Sequence, residues 1–156
     1  MCTVNTFIYI IQSGFYAILG TRASSIAVAA KDRRGKLDFS YSKRVNTNVP
    51  VQAEAEAIFW ALHLAKKVDA SHFVIESDSK ICIDAISTGG DHVPWRLSNF
   101  IENVQVICVD FGSVSFKWVY LEANKTAHEL AKWSESHGYF GSFGVGLCPP
   151  NVVKCS

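Results

Sequence analysis

Apolar and polar residues alternate along this chain in the two periods that distinguish strands from helices. Apolar runs that end at charged or turn residues predict strands at 25–30, 37–45, 73–78 and 114–120. Apolar residues spaced three and four apart predict helices at 51–68, 80–86, 97–108 and 125–133. In chain order these elements predict a single three-layer α/β domain, with no internal repeat or linker.

A seam of small residues marks the longest predicted helix, 51–68. Its alanines recur every four residues: Ala53, Ala57, Ala61 and Ala65. Such a seam lets a helix lie close to a sheet, and Glu54 sits on or beside it instead of on the solvated side. The alternative is an ordinary exposed acid beside Glu56, because lone acids on helices are mostly exposed.

The segment 73–79, Phe-Val-Ile-Glu-Ser-Asp-Ser, is an apolar run that ends in acidic and hydroxyl residues. Ligands gather at the carboxyl ends of strands in open α/β sheets, so Asp78 is a candidate metal ligand. Ser79 is placed to cap the helix that follows. Asp78 could itself be a capping residue, which is the alternative to a metal ligand.

The charge balance argues against a strongly electropositive surface. There are 15 Lys and Arg residues against 14 Asp and Glu residues, for a net charge of +1, so no net field draws the protein onto nucleic acid or lipid. Any binding of phosphate must therefore be local. The densest basic cluster is the turn 31–36, and further candidates are Lys43, Arg44, Lys66, Lys67, Lys80 and Arg96. Charge clusters on turns are usually only solvated.

Length and composition fit one globular domain, with 156 residues of which 49% are hydrophobic. The longest apolar stretch near the amino end, 7–19, is shorter than the roughly 20 residues that span a bilayer. We therefore expect no membrane association. Five cysteines, an odd number without the spacing of a zinc site, indicate reduced thiols in an intracellular protein, either nuclear or cytoplasmic.

The tryptophans fall into two groups by their positions. Trp60, Trp118 and Trp133 follow the apolar positions of predicted elements, so we expect them in the core. Trp95 lies in a Pro-Trp-Arg turn and is a candidate for stacking on a nucleic-acid base.

Two acids from separate elements can converge in the predicted domain: Glu54 from the long helix and Asp78 from the end of the central strand. Converging carboxylates suit hard divalent cations such as Mg²⁺ or Mn²⁺, which prefer oxygen ligands. In sites that hold two such ions, the ions stabilise the attacking and leaving oxygens of an in-line displacement. The pattern therefore favours a nuclease.

Several segments taken together resemble a known family. They are the hairpin from Val28 to Lys36, Ala53-Glu54 followed by Ala57, Glu76-Ser77-Asp78-Ser79, Phe116-Lys117-Trp118-Val119, and the stretch from Glu122 to Ala131. Their order and spacing resemble the ribonuclease-H-like domains, most closely the plant group related to retroelement reverse-transcriptase sequences. The resemblance covers Ser25 to Trp133. It implies a five-stranded mixed sheet flanked by helices, and Mg²⁺-dependent hydrolysis of the RNA strand in an RNA–DNA hybrid.

Two of the family's four acidic positions have counterparts in this chain. Glu54 resembles the helix glutamate and Asp78 the central-strand aspartate, so the resemblance implies that both bind the metal. The family's first aspartate lies on the opening strand, yet residues 1–31 contain no Asp or Glu. The fourth acid falls at His128, a candidate catalytic residue that suits Mg²⁺ poorly. The alternative for His128 is a polar residue near a cleft that holds no metal.

The resemblance also divides the chain into three parts. Residues 1–24 form an atypical amino-terminal segment, 25–135 the ribonuclease-H-like domain, and 136–156 a glycine-rich tail. By composition we expect the tail to be loose.

Three functions stay open at this point. The first is a ribonuclease-H-type hydrolase with an altered site that binds Mg²⁺ or Mn²⁺ weakly. The second is an inactive module that binds nucleic acid, in particular an RNA–DNA hybrid. The third is a domesticated or truncated retroelement-derived domain that acts through protein contacts. We expect a monomer in each case.

Overall fold

A computed structural model describes residues 8–18, 20–89 and 94–143 of the chain. The strands are β1 (Ile8–Ala17), β2 (Ser24–Lys31), β3 (Leu37–Val45), β4 (His72–Ser77), β5 (Ser113–Trp118) and β6 (Gly141–Phe143). The helices are α1 (Pro50–Lys67), α2 (Lys80–Thr88), α3 (Ser98–Cys108) and α4 (Lys125–His137), with short 3-10 turns at Trp95–Leu97 and Leu121–Asn124. Within these described ranges, no helix has both the length and the apolar character that crossing a membrane requires.

The six described strands form one mixed sheet in the order β5-β4-β1-β2-β3-β6. β1 pairs in parallel with β4 and antiparallel with β2, and β4 pairs in parallel with β5. The mixed sheet flanked by helices that the resemblance implied is confirmed, although it has six strands in place of five. The additional strand, β6, pairs antiparallel with β3.

The central strand, β1, is the element that hydrophobic alternation does not reveal. It lies between β2 and β4 and buries both of its faces, so that Ile11, Gln12 and Ser13 are at most 4% exposed. A strand buried on both faces has apolar residues throughout instead of at every second position. The atypical amino-terminal segment therefore supplies the middle of the sheet.

α1 covers one face of the sheet with its alanine seam. All four seam residues are fully buried, as the four-residue spacing predicted: Ala53, Ala57, Ala61 and Ala65. Pro50 begins the helix, where a residue without a backbone N–H is tolerated. The close approach of α1 to the sheet carries Glu54 against the carboxyl ends of the strands.

α4 covers the opposite face and completes the three layers. Leu130 and Ala131 pack against Ala27 and Ala29 of β2. Gly14 in β1 permits this close approach, because a Cβ atom there would lie 3.0 Å from the backbone nitrogen of His128. The start of α4 is thereby held directly over β1.

The first part of the glycine-rich tail packs on the domain. Phe143 of β6 is 5% exposed, and its ring lies 5.7 Å from that of Trp133 and 5.0 Å from that of Tyr139, measured between centroids. The expectation of a loose tail is wrong for these residues, because it weighed the glycines and not the aromatic side chains between them. Residues 144–156 lie outside the described part of the chain.

The burial of the tryptophans differs in part from what the sequence predicted. Trp60 and Trp133 are partly buried, whereas Trp118 is 37% and Trp95 80% exposed. The core prediction is wrong for Trp118, because β5 is an edge strand and Trp118 is its last residue.

Two cysteines lie in the described part of the chain, and neither forms a disulfide. Cys82 is fully buried, and this burial raises the pKa of its thiol to about 11. Both agree with the reduced state expected from the sequence. The other three cysteines, Cys2, Cys148 and Cys155, fall outside the described ranges.

Candidate metal and nucleic-acid site

The carboxyl groups of Glu54 and Asp78 meet at the end of β4. Glu54 reaches this point from α1 and is 5% exposed, and its carboxyl group shares a hydrogen bond with that of Asp78. Burial raises the pKa of Glu54 well above its usual value, and the negative charge of Asp78 raises it further. The structure thus brings together the two acids that the sequence indicated, in a pair that favours protonation of Glu54.

Two serines beside Asp78 fix this arrangement. The Ser77 hydroxyl donates to Oε2 of Glu54 at 3.3 Å and accepts from the Ser79 backbone N–H at 3.1 Å. Ser79 caps α2, as predicted, by accepting from the backbone N–H of Cys82. Since Ser79 fills the capping position, the carboxylate of Asp78 is left to face Glu54.

Ser13 is the β1 side chain that faces this pair of acids. Gln12 is paired in register with Glu76, so Ser13 lies beside Ser77, and the alternation of a strand turns it toward α1. Its hydroxyl is buried and has no hydrogen-bond partner within the described ranges. Where the resemblance implies an aspartate on the opening strand, β1 presents a serine. Sequence reasoning missed Ser13, because no charge or periodicity distinguishes it.

Asn124 binds across the site instead of capping α4. Its fully buried amide Nδ2 donates to the Ser13 carbonyl at 2.8 Å and to Oδ1 of Asp78 at 3.3 Å. Asn124 lies at the N-cap position of α4, but its side chain makes no capping hydrogen bond. The Oδ1 atom of Asn124 is buried without a partner among the described residues. Asn124 therefore positions the Asp78 carboxylate from the α4 side.

Gln12 makes a similar pair of hydrogen bonds on the face of β1 that lies against α4. Its Nε2 donates to the Ala123 carbonyl at 2.7 Å and to Oε1 of Glu76 at 3.3 Å. Because neighbouring residues of a strand point to opposite faces, Glu76 lies on the face opposite Ser77 and Glu54. It is a structural acid in this arrangement.

His128 lies apart from the acid pair. Its Nδ1 lies 3.2 Å from the Phe15 carbonyl, a contact in which Nδ1 carries the proton and donates it. Its ring also packs edge-on against Tyr16. In the described part of the chain no three His, Cys, Asp or Glu side chains are close enough to hold a metal ion together. The structure therefore does not gather His128 with Glu54 and Asp78.

Three basic side chains in the described part of the chain are paired with acids. Arg44 binds Glu135 at 2.9 Å, Lys66 binds Asp110, and Lys80 lies 3.6 Å from Asp84. Arg96 lines a groove of about 340 Å³ between α1 and the start of α3, together with the amide side chains Asn46, Gln52, Asn99 and Asn103. The groove also has the carboxylate of Glu56 and the apolar side chains of Phe59 and Phe100 in its lining, so a phosphate there would meet one guanidinium, several amides and one acid.

Comparison with known proteins gives one family and a consistent set of folds. The reverse-transcriptase-like family matches residues 17–134. No curated protein matches the chain by sequence.

The fold resembles that of solved ribonuclease H structures. The ribonuclease H1 of the archaeon Halobacterium salinarum superposes with a TM-score of 0.76 at 15% identity, over 83% of this chain and 98% of that one. The N-terminal ribonuclease H domain of a Mycobacterium tuberculosis protein gives 0.74 at 15% identity, over 84% and 95%. LC11-RNase H1 in complex with an RNA/DNA hybrid gives 0.72 at 18% identity, over 83% and 98%.

Proposed function

Because this chain belongs to the reverse-transcriptase-like family, we propose that it is a ribonuclease-H-type domain that binds RNA–DNA hybrids around a single divalent ion. The observation that carries the proposal is the contact between Glu54 and Asp78 at the carboxyl end of the central strands. Ligands of α/β sheets bind at this edge. The related LC11 structure contains an RNA/DNA hybrid, which supports the choice of nucleic acid.

The donor atoms at this edge fit one hard cation such as Mg²⁺ or Mn²⁺. Glu54 and Asp78 supply carboxylate oxygens, and Ser13 Oγ, a buried neutral oxygen with no partner in the described part of the chain, lies on the neighbouring strand. Hard cations accept carboxylate, carbonyl and water oxygens in such combinations. With two carboxylates instead of four, the site holds less negative charge, so we expect weak binding of one ion.

When bound, such an ion offsets the negative charge of a phosphate and polarises its oxygens. The residues of the chain prepare the site for it. The Ser77 hydroxyl orients the Glu54 carboxyl group, and the Asn124 amide holds Oδ1 of Asp78. The proton favoured on Glu54 would leave on binding of the ion, so affinity for the ion rises with pH.

The nucleic acid binds mainly by local contacts, since the net charge is only +1. Arg96 and the amides of its groove are placed to bind a phosphate, and the exposed Arg33 and Arg34 in the β2–β3 turn add positive charge. Contacts to phosphate make affinity fall with salt concentration. We expect binding that is detectable at low ionic strength and lost at high ionic strength.

Calorimetric titration with Mn²⁺ and Mg²⁺ tests the metal site. Wild type should bind one ion, and Glu54→Gln and Asp78→Asn should each lower the affinity on the order of 100-fold, as expected when one partner of a buried charged pair is lost. The matched control is Glu56→Gln, an exposed acid two residues along the same helix, which should bind as wild type does. Equal affinity in all four proteins would contradict the proposed site.

Hydrolysis of the RNA strand is a second candidate function, favoured by the same contact between Glu54 and Asp78. The test is a time course with end-labelled hybrid in Mn²⁺, using Asp78→Asn as the paired variant. Slow cleavage that Asp78→Asn abolishes would establish the hydrolase. Binding without turnover in both proteins would leave the domain as a hybrid-binding module.

A further inference from the structure

Two exposed aromatic side chains stand beside the candidate site and take no part in the contacts described above. Trp118 is 37% exposed and Tyr120 69% exposed. Their ring centroids are 4.8 Å apart with planes inclined by 62°. We propose that this pair, termed the aromatic platform, stacks on an unpaired nucleobase of the bound nucleic acid. The inference rests on the proposed function and adds the class of substrate.

The platform is attached directly to the acid pair. The indole Nε1 of Trp118 donates to the backbone carbonyl of Asp78 at 3.3 Å, and the backbone N–H of Val119 donates to the Ser77 carbonyl at 2.9 Å. Successive nucleotides lie about 3.4 Å apart along a strand. A base on Trp118 therefore belongs to a nucleotide close in sequence to the phosphate that faces the Glu54 and Asp78 pair.

The chemistry of the platform fits a nucleobase better than an apolar protein surface. Aromatic rings stack on any base through its π-face, with a stacking energy of about 1–3 kcal/mol per base. Next to the pair in sequence, the apolar side chains are the exposed Leu121 and the buried Val119, whereas surfaces that bind proteins are typically apolar over several hundred Å². The neighbours in sequence are the exposed Lys117 and Glu122. Two rings with a polar surround match a single base.

The base must be unpaired to reach the rings. Within a continuous duplex both faces of each base are covered by its neighbours, and extruding a base costs a few kcal/mol. A single-stranded flank or an unpaired nucleotide avoids that cost. The platform therefore predicts a preference for hybrids with a junction or overhang over blunt, fully paired hybrids.

Trp95 supplies the matched comparison. It is 80% exposed and carries a basic neighbour, with the Arg96 guanidinium 5.4 Å from the centre of its ring. It lies at the start of the turn before α3, next to the groove that Arg96 lines. Its removal takes away an exposed indole without touching the hydrogen bond to Asp78.

The experiment measures hybrid binding by fluorescence anisotropy in Mg²⁺ at low ionic strength, with 2′-O-methyl RNA strands so that cleavage does not enter. Two labelled ligands share the same paired core, and one carries a short single-stranded RNA overhang. We expect wild type to bind the overhang ligand about tenfold more tightly than the blunt one. Trp118→Leu and Tyr120→Leu should each remove most of that difference, with blunt affinity unchanged in Tyr120→Leu, while Trp118→Phe and Trp95→Leu should retain the difference. An abasic site in the overhang should reproduce the effect of the leucine variants.

The outcomes separate the two proposals. Equal affinity of wild type for both ligands, or a loss of overhang preference only in Trp95→Leu, would overturn the platform and leave hybrid binding intact. Absence of binding to either ligand would overturn the proposed function and the platform together. If Trp118→Leu does not fold, Tyr120→Leu still tests the platform, because Tyr120 is largely exposed.

Discussion

At the carboxyl edge of the sheet, the side chains on its two faces differ in chemistry. The acid side, Glu54 and Asp78, places two carboxyl groups in contact at the end of β4. The tether side, Gln12, Asn124 and His128, lies between β1 and α4 and carries two amides and an imidazole. Each of these three side chains contacts a backbone carbonyl, those of Ala123, Ser13 and Phe15 respectively.

This difference shows that the tether-side residues position the site, whereas the acid-side residues give it negative charge. On the tether side, hydrogen bonds between side chains and backbone hold the start of α4 against β1, and no buried charge has to be offset. On the acid side, burial of Glu54 beside Asp78 is costly unless a proton or a cation is present. The backbone is therefore held in place on both sides, while the carboxylates that can bind a cation lie on the acid side.

Adding charge at Ser13, which faces the acid pair, and at His128, on the tether side, should produce the largest effect. The double variant Ser13→Asp/His128→Asp places carboxylates on β1 and α4, and we expect affinity for Mn²⁺ to rise on the order of 100-fold and hybrid cleavage to increase. Calorimetry and a labelled-hybrid assay measure the two effects. The matched control, Ser13→Asn/His128→Asn, adds similar bulk without charge and should show neither. If the control gains as much as the charged variant, charge is not what separates the two sides.

Removing a tether should lower stability more than metal affinity. Asn124→Ala deletes both hydrogen bonds of a fully buried amide, at an expected cost of about 2–3 kcal/mol in the free energy of unfolding. Urea denaturation measures the loss, and Asn99→Ala, at an exposed position on α3, serves as the control. A loss of metal binding in Asn124→Ala without a loss of stability would place Asn124 on the acid side instead.

A pH-dependent stability difference should mark the acid side. The pKa of Glu54 is raised in the folded protein above its usual 4.5, so the folded state holds this proton more tightly than the unfolded state. Below about pH 4.5 both states are protonated and no stability is lost. As the pH rises from there through the folded pKa, the unfolded state ionises first and stability falls.

Glu54→Gln removes that loss. Without divalent metal, the variant should match wild type in free energy of unfolding near about pH 4 and exceed it near about pH 8, as measured by urea denaturation at each pH. Saturating Mn²⁺ should reverse the order at high pH, because only wild type gains from binding. A difference that does not change with pH would show that the Glu54 carboxyl group is not buried as described.

Much of the acid side could be predicted from the sequence, because local patterns encode it. β3 has the bounds expected from its alternation, Leu37–Val45, and Ser79 caps α2 as its position before an apolar run indicated. The alanine seam placed Glu54 toward the sheet, and the strand end placed Asp78 at its edge. Their contact follows from these two local features, while their role as metal ligands stays a prediction.

The tether side could not be predicted in the same way, because it depends on contacts between residues far apart in the chain. Asn124 follows the pattern of a helix cap, yet its amide finds better acceptors in Ser13 and Asp78 once α4 lies over β1. β1 itself shows no alternation because both of its faces are buried. β6 was missed because three residues are too few to give a period. In each case the tertiary arrangement, and not the local sequence, decides the outcome.

Paramagnetic broadening by Mn²⁺ in two-dimensional amide NMR spectra tests the central claim most directly, that Glu54 and Asp78 together hold one divalent ion. The account predicts that substoichiometric Mn²⁺ broadens the amide signals of residues 13, 54, 77, 78 and 124 first, and that Asp78→Asn removes this selectivity. Broadening centred on other acids such as Asp110 or Glu135, or no selective broadening at all, would contradict it.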